Sequence, residues 1–220
     1  MTRLTIKADD LTADVNERWL CFLRICTTHA IPASLGFIAG QETTQTVDRG
    51  FLDILQQGQF EIWNHGALHD RDEQSGTAEF FGRDLDAQIT AIRTCQNVCE
   101  TIFGHRPQLF GPPFNLFDSI TLRALDEFPE IRCLFDIPYL RDRKTIPKAY
   151  YVEREIPAGG RTFDYDIALR DSEKFLVHRV PFVLQIHPGN YWTKECPARF
   201  VAFVKVIQAC GYRIVLTNEF

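Results

Sequence analysis

Short apolar runs alternate with longer segments of helical periodicity along most of this chain of 220 residues. Leu4–Ala8 has the pattern of a buried strand, and the segment after it repeats apolar residues every three or four positions, as a helix does. The same alternation predicts further strands at 33–39, 60–63, 108–110, 131–135, 180–187 and 212–216, and helices at 14–28, 45–57, 78–103, 117–127 and 195–210. Such alternation favours an α/β fold, in which helices cover a parallel sheet.

The stretch from about 136 to 176 interrupts this alternation. Prolines, charged residues and the pair Gly159–Gly160 divide it, and strand-like residues occur at 149–156 and 161–168. We therefore expect a β-hairpin insertion around 136–176. The sequence has no internal repeat and no linker long enough to divide it, so we expect a single domain over residues 1–220.

Composition limits the classes of function. The formal net charge is -5 and the lysines and arginines form no cluster, which gives no indication of a nucleic-acid surface. The first residues resemble no signal peptide, and no window is apolar enough for a membrane span, so we expect a cytoplasmic protein. The cysteines number seven and none lies in a Cys-x-x-Cys motif, which favours reduced thiols over a disulfide scaffold.

Polar residues follow several of the predicted strands. Asp9 and Asp10 come directly after the first strand, His65 follows the third, and His187 ends a later one. In folds with parallel strands, reactive groups gather at the carboxyl ends of the strands. We therefore expect these side chains and the irregular segment Pro112–Phe114 to contribute to one site.

Two of these segments carry side chains of the kind that bind metals. His65 and His69 are four residues apart, a spacing from which two imidazoles reach one ion. One carboxylate of the Asp9–Asp10 pair would complete a catalytic set of three ligands with open positions, and the other would remain available to accept a proton. Taken alone, each segment also fits a simpler account, namely a solvated Asp-Asp turn and two unrelated surface histidines.

Four segments, in this order, resemble the motifs of the polysaccharide deacetylase (NodB-homology) family of metal-dependent carbohydrate N-deacetylases. Residues 7–10 (Lys-Ala-Asp-Asp) resemble its Thr-Phe-Asp-Asp segment. Residues 61–69 (Glu-Ile-Trp-Asn-His-Gly-Ala-Leu-His) resemble its Glu-Ile-Gly-Asn-His-Thr-x-x-His segment. Residues 110–115 (Phe-Gly-Pro-Pro-Phe-Asn) are similar to its Phe-Arg-Pro-Pro-Tyr-Gly segment, and residues 184–187 (Leu-Gln-Ile-His) are similar to its Leu-x-x-His segment.

The resemblance implies a fold, a cofactor and a set of roles. The implied fold is a distorted (β/α) barrel with about seven parallel strands, and the implied cofactor is a divalent metal, usually Zn²⁺. The resemblance assigns Asp10, His65 and His69 to the metal. It makes Asp9 the general base that takes a proton from water, and His187 the general acid that protonates the departing amine.

The segment at 110–115 has its own implied role. The backbone N–H of Phe114 would stabilise the oxyanion together with the metal, and Pro113 and Asn115 would lie against the substrate. Four further aromatic residues in loop-like segments either stack on sugar rings or pack the loops: Tyr139, Tyr165, Tyr191 and Trp192.

The chain departs from the family pattern near the base. Position 111 is Gly where the family usually has an arginine that pairs with the base carboxylate, and Trp63 replaces a small residue. Lys7 precedes Asp9 by two positions, so on an ideal strand both side chains point to the same side. As a hypothesis, Lys7 replaces the missing cation and keeps Asp9 ionised, and Arg106 is the other candidate. These changes indicate a divergent, intracellular branch of the family.

The expected function is hydrolysis of an N-acetyl group from a saccharide or saccharide precursor. An enzyme that acts on cell-wall polymers would need an export signal, and none is found in the sequence. For an intracellular member of the family, the resemblance suggests a role in surface-polysaccharide (O-antigen-like) biosynthesis. Two alternatives stay open: an amidase or imidase that acts on a non-sugar amide, and a catalytically silent sugar-binding barrel that keeps its metal. Gly111 favours the silent barrel, whereas Asp9 and His187 argue for catalysis.

Overall fold

The structure is a computed structural model that describes residues 2–40, 47–135, 144–146, 150–151, 153–155, 161–163, 166, 169–170, 182–192 and 195–219. The chain divides into two compact units. Unit 1 comprises Met1–Leu35, Asp48–Glu61 and Pro147–Phe220, and unit 2 comprises Gly36–Val47 and Ile62–Ile146.

The described elements alternate in type as the sequence predicts. In chain order they are β1 (Thr2–Leu11), α1 (Glu17–Thr28), β2 (Ala33–Phe37), α2 (Arg49–Gln57), β3 (Phe60–Asn64), α3 (Leu85–Phe103), β4 (Leu109–Phe110), α4 (Ser119–Leu125), β5 (Cys133–Phe135), β6 (Lys144–Ile146), β7 (Tyr150–Tyr151), β8 (Glu153–Glu155), β9 (Arg161–Phe163), β10 (Phe182–Ile186), α5 (Pro188–Tyr191), α6 (Cys196–Ala209) and β11 (Tyr212–Ile214), with 3-10 turns at Pro113–Asn115 and Thr217–Glu219. None of these described helices is long and apolar enough to cross a membrane.

Unit 1 is built on parallel strands. β1 pairs with β10 over Leu4–Ala8 and with β11 over Thr2–Leu4, and β10 also pairs with β7. Within the stretch predicted as an insertion, β8 and β9 form an antiparallel pair, whereas β7 joins the parallel sheet. Every residue of β1 from Leu4 to Asp9 is buried. Burial on both faces is the environment of a central strand in a sheet covered by helices.

Helix α1 contributes to an aromatic cluster in unit 1. The helix begins after Asn16, because the Asn16 side chain accepts hydrogen bonds from the backbone N–H groups of Arg18 and Trp19. Phe22 on its buried face packs edge to face against Trp192, with ring centroids 5.1 Å apart, and its ring centroid lies 5.8 Å from that of Phe200. The cluster therefore joins α1 to α6 and to the residue that follows α5.

Within unit 1, a buried carboxylate links the C-terminal segment to β2 and β3. Glu61 Oε2 accepts hydrogen bonds from Ser34 Oγ at 2.9 Å and from the backbone N–H of Thr217 at 3.0 Å. Thr217 Oγ1 also donates a hydrogen bond to Ser34 Oγ at 2.7 Å. Burial raises the pKa of Glu61, and the hydrogen bond from Ser34 acts in the opposite direction.

Unit 2 carries the other parallel pairs. Asn64 of β3 pairs with Phe110 of β4, which in turn pairs with Leu134 of β5, and β5 pairs with β6. The hydrophobic core of this unit contains buried residues from β4, β5, α3, α4 and the loops beside them: Phe80, Ile92, Phe110, Ala124, Leu125, Phe128, Ile131 and Leu134. The predicted parallel α/β arrangement is thus confirmed within each unit.

Two predicted boundaries are wrong. The helix predicted at 78–103 begins only at Leu85, because Asp84 caps it by accepting the backbone N–H of Ala87 at 2.8 Å. Before the cap, Ala78 and Phe81 exchange backbone hydrogen bonds in a tight turn. The first strand was predicted to end at Ala8, whereas β1 continues to Leu11 and includes both aspartates.

Candidate active site

Lys7 and Asp9 form a buried ion pair on β1. Lys7 Nζ donates a hydrogen bond to Asp9 Oδ2, and each side chain is only 2% exposed. Gln185 Nε2 on β10 donates to the same carboxylate oxygen at 2.8 Å, and strand pairing places Gln185 opposite Lys7. A buried carboxylate is costly unless it is paired and hydrogen-bonded, and these two donors meet that requirement. The contact that strand alternation predicted between Lys7 and Asp9 is therefore present.

His187 lies beside this pair, directly after β10. Its Nε2 is 4.0 Å from Asp9 Oδ2, and its side chain is 15% exposed. The backbone oxygen of His187 accepts a hydrogen bond from the N–H of Asn190 at 3.1 Å. Unit 1 thus brings the predicted base and the predicted acid together, with the acid partly open to solvent.

Asp10 has different surroundings from its neighbour Asp9. Its φ of +68° lies in the left-handed region, which is uncommon for a residue with a Cβ. The Asp10 backbone oxygen accepts a hydrogen bond from Trp19 Nε1 at 3.2 Å. Its Oδ2 accepts a longer one from Asn190 Nδ2 at 3.4 Å. The donors described for the two adjacent carboxylates are therefore different residues: Lys7 and Gln185 for Asp9, and Asn190 for Asp10.

His65, which follows β3 in unit 2, is held in one tautomer. Its backbone N–H donates to Phe37 O at 2.9 Å, and its Nδ1 lies 2.7 Å from Gly111 O. Because a carbonyl oxygen can only accept, Nδ1 carries the proton and Nε2 carries the lone pair that metal binding requires. Ring nitrogens of His65 and His69 lie within 4.8 Å of each other, so both imidazoles can reach one ion.

The loop from Gly66 to His69 is fixed by a buried carboxylate. Glu79, 1% exposed, accepts the backbone N–H groups of Ala67 at 2.7 Å, Leu68 at 2.9 Å and His69 at 2.9 Å. At Gly66, where φ is +81°, a Cβ would lie 2.5 Å from Glu79 Oε2, so the close approach requires glycine. Glu79 therefore sets the backbone that carries His69.

Sequence reasoning missed Glu79 and understated Asn64. Glu79 was placed inside a predicted helix, and the only signal in the sequence was an acidic residue within the apolar run at 78–81. Asn64 Oδ1 accepts the backbone N–H of Gly66 at 3.0 Å, and Asn64 Nδ2 donates to Gln96 Oε1 at 3.2 Å. Glu79 thus supports the loop between the histidines, and Asn64 links the start of that loop to α3.

The segment predicted to bind the oxyanion is a strained turn in unit 2. Pro113–Asn115 forms a 3-10 turn, and Phe114 and Asn115 have φ of +58° and +54°. Two consecutive non-glycine residues in this region cost on the order of 1–3 kcal/mol each, and such strain concentrates at functional sites. The exposed Phe114 ring packs on the His69 ring, with centroids 4.5 Å apart.

Trp63 occupies the space beside Gly111. A Cβ on Gly111 would lie 2.6 Å from Trp63 Cζ3, and a Cβ on Gly36 would overlap Trp63 Cζ2. The fully buried indole also packs on the His65 ring, with centroids 4.7 Å apart, and on Phe135 at 5.0 Å. The two departures from the family pattern at positions 63 and 111 are thus one packing arrangement, completed by Gly36.

Arg106 has other partners within unit 2. Its Nε donates to Glu100 Oε2 at 2.9 Å, and its Nη1 lies 3.7 Å from Glu130 Oε1. The Arg106 side chain is 43% exposed, and the hydrogen bond that it donates to Glu100 raises the pKa of its guanidinium. Lys7, the other candidate partner of the base, contacts Asp9 within the described part of unit 1.

Of the four aromatic residues considered for stacking on sugar rings, most have side chains that the structure does not describe. Trp192 is 4% exposed and packs on Phe22 and Phe200, which favours the packing account for this residue. Tyr139 and Tyr165 lie outside the described residues. The seven cysteines all lie within the described residues, and none of them forms a disulfide there.

We expect Gly111→Arg to destabilise unit 2, because its Cβ would overlap the Trp63 indole. Overpacking of this kind costs about 1–3 kcal/mol. Thermal unfolding should show a lower midpoint for this variant than for Gln108→Arg, which adds the same side chain at an exposed position. In a double-mutant cycle, Trp63→Ala with Gly111→Arg should lose less stability than the two single losses added together. An additive cycle would show that Trp63 does not exclude the arginine.

Comparisons with known proteins identify the fold. The sequence matches no family model and no curated protein. Solved structures do match: a family 4 acetyl xylan esterase from Clostridium thermocellum, in complex with cobalt, superposes with a TM-score of 0.66 at 15% identity, covering 98% of this chain and 88% of that chain. A family 4 carbohydrate esterase from Streptomyces lividans, in complex with acetate, gives 0.61 at 13% identity, covering 98% and 92%.

The chain has the fold of the family 4 carbohydrate esterases. This confirms the fold expected from the four motifs, a distorted (β/α) barrel of the polysaccharide deacetylase type. A family 4 pseudoenzyme from Bacillus anthracis also matches, with a TM-score of 0.61 at 13% identity, covering 99% of this chain. The chain spans 64% of that protein's length, and a mutant of the same protein is described as having restored enzymatic activity. The family 4 fold therefore occurs with and without catalysis.

Proposed function

We propose that this chain is a divergent, cytoplasmic polysaccharide deacetylase of one domain that hydrolyses an N-acetyl group from a saccharide or saccharide precursor. The observation that carries the proposal is the buried Asp9 carboxylate, paired with Lys7 and lying 4.0 Å from His187. A module that only binds sugar requires neither a buried charged base nor an acid beside it. The reaction breaks a linear amide C–N bond and releases acetate and an amine.

The donor set of the proposed metal site fits a divalent cation. Asp10, His65 and His69 would hold it, and Zn²⁺ is the expected ion because it favours imidazole nitrogen with carboxylate oxygen. The hydrogen bond between His65 Nδ1 and Gly111 O supports this assignment, because it directs the ring's lone pair to Nε2. A bound divalent ion supplies Lewis-acid polarisation of the acetamide carbonyl and activation of water.

The chain's own residues move the protons. Asp9 accepts the proton of the water that attacks the acetamide carbon, while Lys7 and Gln185 hold its Oδ2 in place. The Phe114 N–H donates to the oxygen that becomes negative, and the strained turn holds that donor in a fixed orientation. His187 then donates a proton to the nitrogen as the C–N bond breaks, so the amine leaves in neutral form.

A second candidate is a sugar-binding barrel without catalysis. The Bacillus anthracis pseudoenzyme supports it, because that protein shares the fold. Gly111 supports it as well, because the resemblance expects an arginine beside the base at this position. The buried contact of Lys7 with Asp9 argues against it, since it gives the base a cation from another position.

Purified full-length protein, loaded with Zn²⁺, tests these candidates. Acetate release should be measured from N-acetylated sugar nucleotides, lipid-linked sugars and oligosaccharides, with non-sugar amides and cyclic imides in parallel. Release from a sugar substrate at one bound ion per chain supports the proposal, and release only from a non-sugar amide or imide identifies an amidase. Metal binding without product from any substrate would favour the binding barrel, and failure to bind Zn²⁺ would overturn the proposed metal site.

A further inference from the structure

The indole of Trp19 contacts two separate segments of unit 1. Its Nε1 donates a hydrogen bond to the backbone oxygen of Asp10 at 3.2 Å. The same edge of the ring also lies close to Gly189, where a Cβ would be 2.6 Å from Trp19 Nε1 and 2.8 Å from Cδ1. Trp19 is 2% exposed, so the ring is fixed between the end of β1 and the start of α5.

The Asp10 backbone needs such support. With φ at +68°, Asp10 adopts a conformation that persists in a non-glycine residue only when its surroundings enforce it. The direction of the carboxylate follows from this backbone turn, because φ sets where the Cβ points. Trp19 holds the carbonyl at that turn and thereby fixes the direction in which the carboxylate is presented.

The start of α1 holds the His187 segment as well. Asn16 Nδ2 donates to Gly189 O at 3.2 Å, and an Arg18 guanidinium nitrogen donates to Asn190 O. The Asn190 side chain in turn reaches Asp10 Oδ2 at 3.4 Å, and its backbone N–H donates to His187 O at 3.1 Å. Hydrogen bonds from one helix start therefore reach both segments.

We propose that Trp19 is a positioning residue for Asp10, which holds that carboxylate in the geometry of a metal ligand and keeps it in register with the His187 segment. The inference rests on the proposed function, because it takes Asp10 as a metal ligand. Trp19 itself touches neither metal nor substrate in this account. Its effect is on the geometry and affinity of metal binding, in the way that residues behind a ligand usually act.

The test compares Trp19→Phe with Trp192→Phe. Both changes shorten a buried tryptophan of the same aromatic cluster, but only Trp19 donates to Asp10. Metal-free proteins are first compared by thermal unfolding. Metal affinity is then measured by competition with a chromophoric chelator, and the Co²⁺-loaded proteins are compared by their visible absorption spectra, which report ligand geometry.

The expected result is a dissociation constant raised about 10- to 100-fold in Trp19→Phe, with an altered Co²⁺ spectrum. Trp192→Phe should keep the wild-type dissociation constant and Co²⁺ spectrum, even if its unfolding midpoint is lower. If both variants kept the wild-type metal affinity and Co²⁺ spectrum, while the wild-type protein bound metal normally, the role of Trp19 would be overturned. A wild-type protein that binds no metal would instead overturn the proposed function, which separates the two failures. Equal losses in both variants would assign the effect to general packing and would also overturn the inference.

Discussion

Replacing Asp9 by Asn is expected to lower kcat about 100- to 10,000-fold while bound metal stays at one ion per chain, because the amide cannot accept a proton from water. Replacing Asp10 by Asn should instead remove most of the bound metal. The hydrogen-bond donors described for the two neighbouring carboxylates are different residues, so we expect the Asp9 variant to lose activity and the Asp10 variant to lose metal. Acetate release and metal analysis of each variant provide the measurement, and Asp14→Asn, an exposed aspartate of the same segment, is the matched control.

The Asp9 variant has a second expected effect, on stability. It leaves the Lys7 ammonium buried without its carboxylate, and breaking one side of a buried pair costs about 3–5 kcal/mol. Adding Lys7→Met removes the remaining charge, so the double variant should recover much of the unfolding free energy while kcat stays low. If the double variant recovered activity along with stability, Asp9 would be a structural residue rather than the base.

Glu79→Ala is expected to have the second-largest effect, in this case on the loop that carries His69. The substitution removes the acceptor of three backbone N–H groups. A buried donor left unsatisfied costs about 1–3 kcal/mol, so the free energy of unfolding should fall by about 3 kcal/mol or more. Metal affinity should fall at least about 10-fold, because the proposed ligand His69 loses its backbone support.

Two further variants serve as comparisons for Glu79→Ala. Glu79→Gln keeps one acceptor oxygen and should fall between wild type and alanine in both chemical denaturation and metal titration. Glu73→Ala removes an exposed glutamate and should change neither measurement. Wild-type metal affinity in Glu79→Ala would show that the loop keeps its conformation without this carboxylate.

The parts of the site that sequence could predict are those set by short spacing. Strand alternation placed Lys7 and Asp9 on one side of β1, and the position of His187 after an apolar run placed it at a strand end. Those inferences needed only the period of a strand and the direction of parallel strands. The same reasoning placed His65 after β3, where the structure has it.

The parts that sequence could not predict depend on contacts between distant segments or on unusual backbone angles. Glu79 accepts a hydrogen bond from the His69 N–H and lies in a turn whose hydrophobic pattern is that of a helix. The cap at Asp84 marks where this turn ends and α3 begins. Trp19 has the pattern of an ordinary buried helix residue, yet it donates to the carbonyl of Asp10. The φ of Asp10 was equally hidden, because local preference disfavours it and the surrounding structure enforces it.

The packing of Trp63 against Gly36 and Gly111 has a consequence for which substitutions this chain can accept. A larger side chain at either glycine overlaps the indole, so an arginine at position 111 is destabilising while Trp63 remains. Loss of the indole first would leave a cavity beside His65, which is itself costly. The three positions are therefore coupled sterically, and we expect the stability effects of substitutions at Gly36, Trp63 and Gly111 to be non-additive.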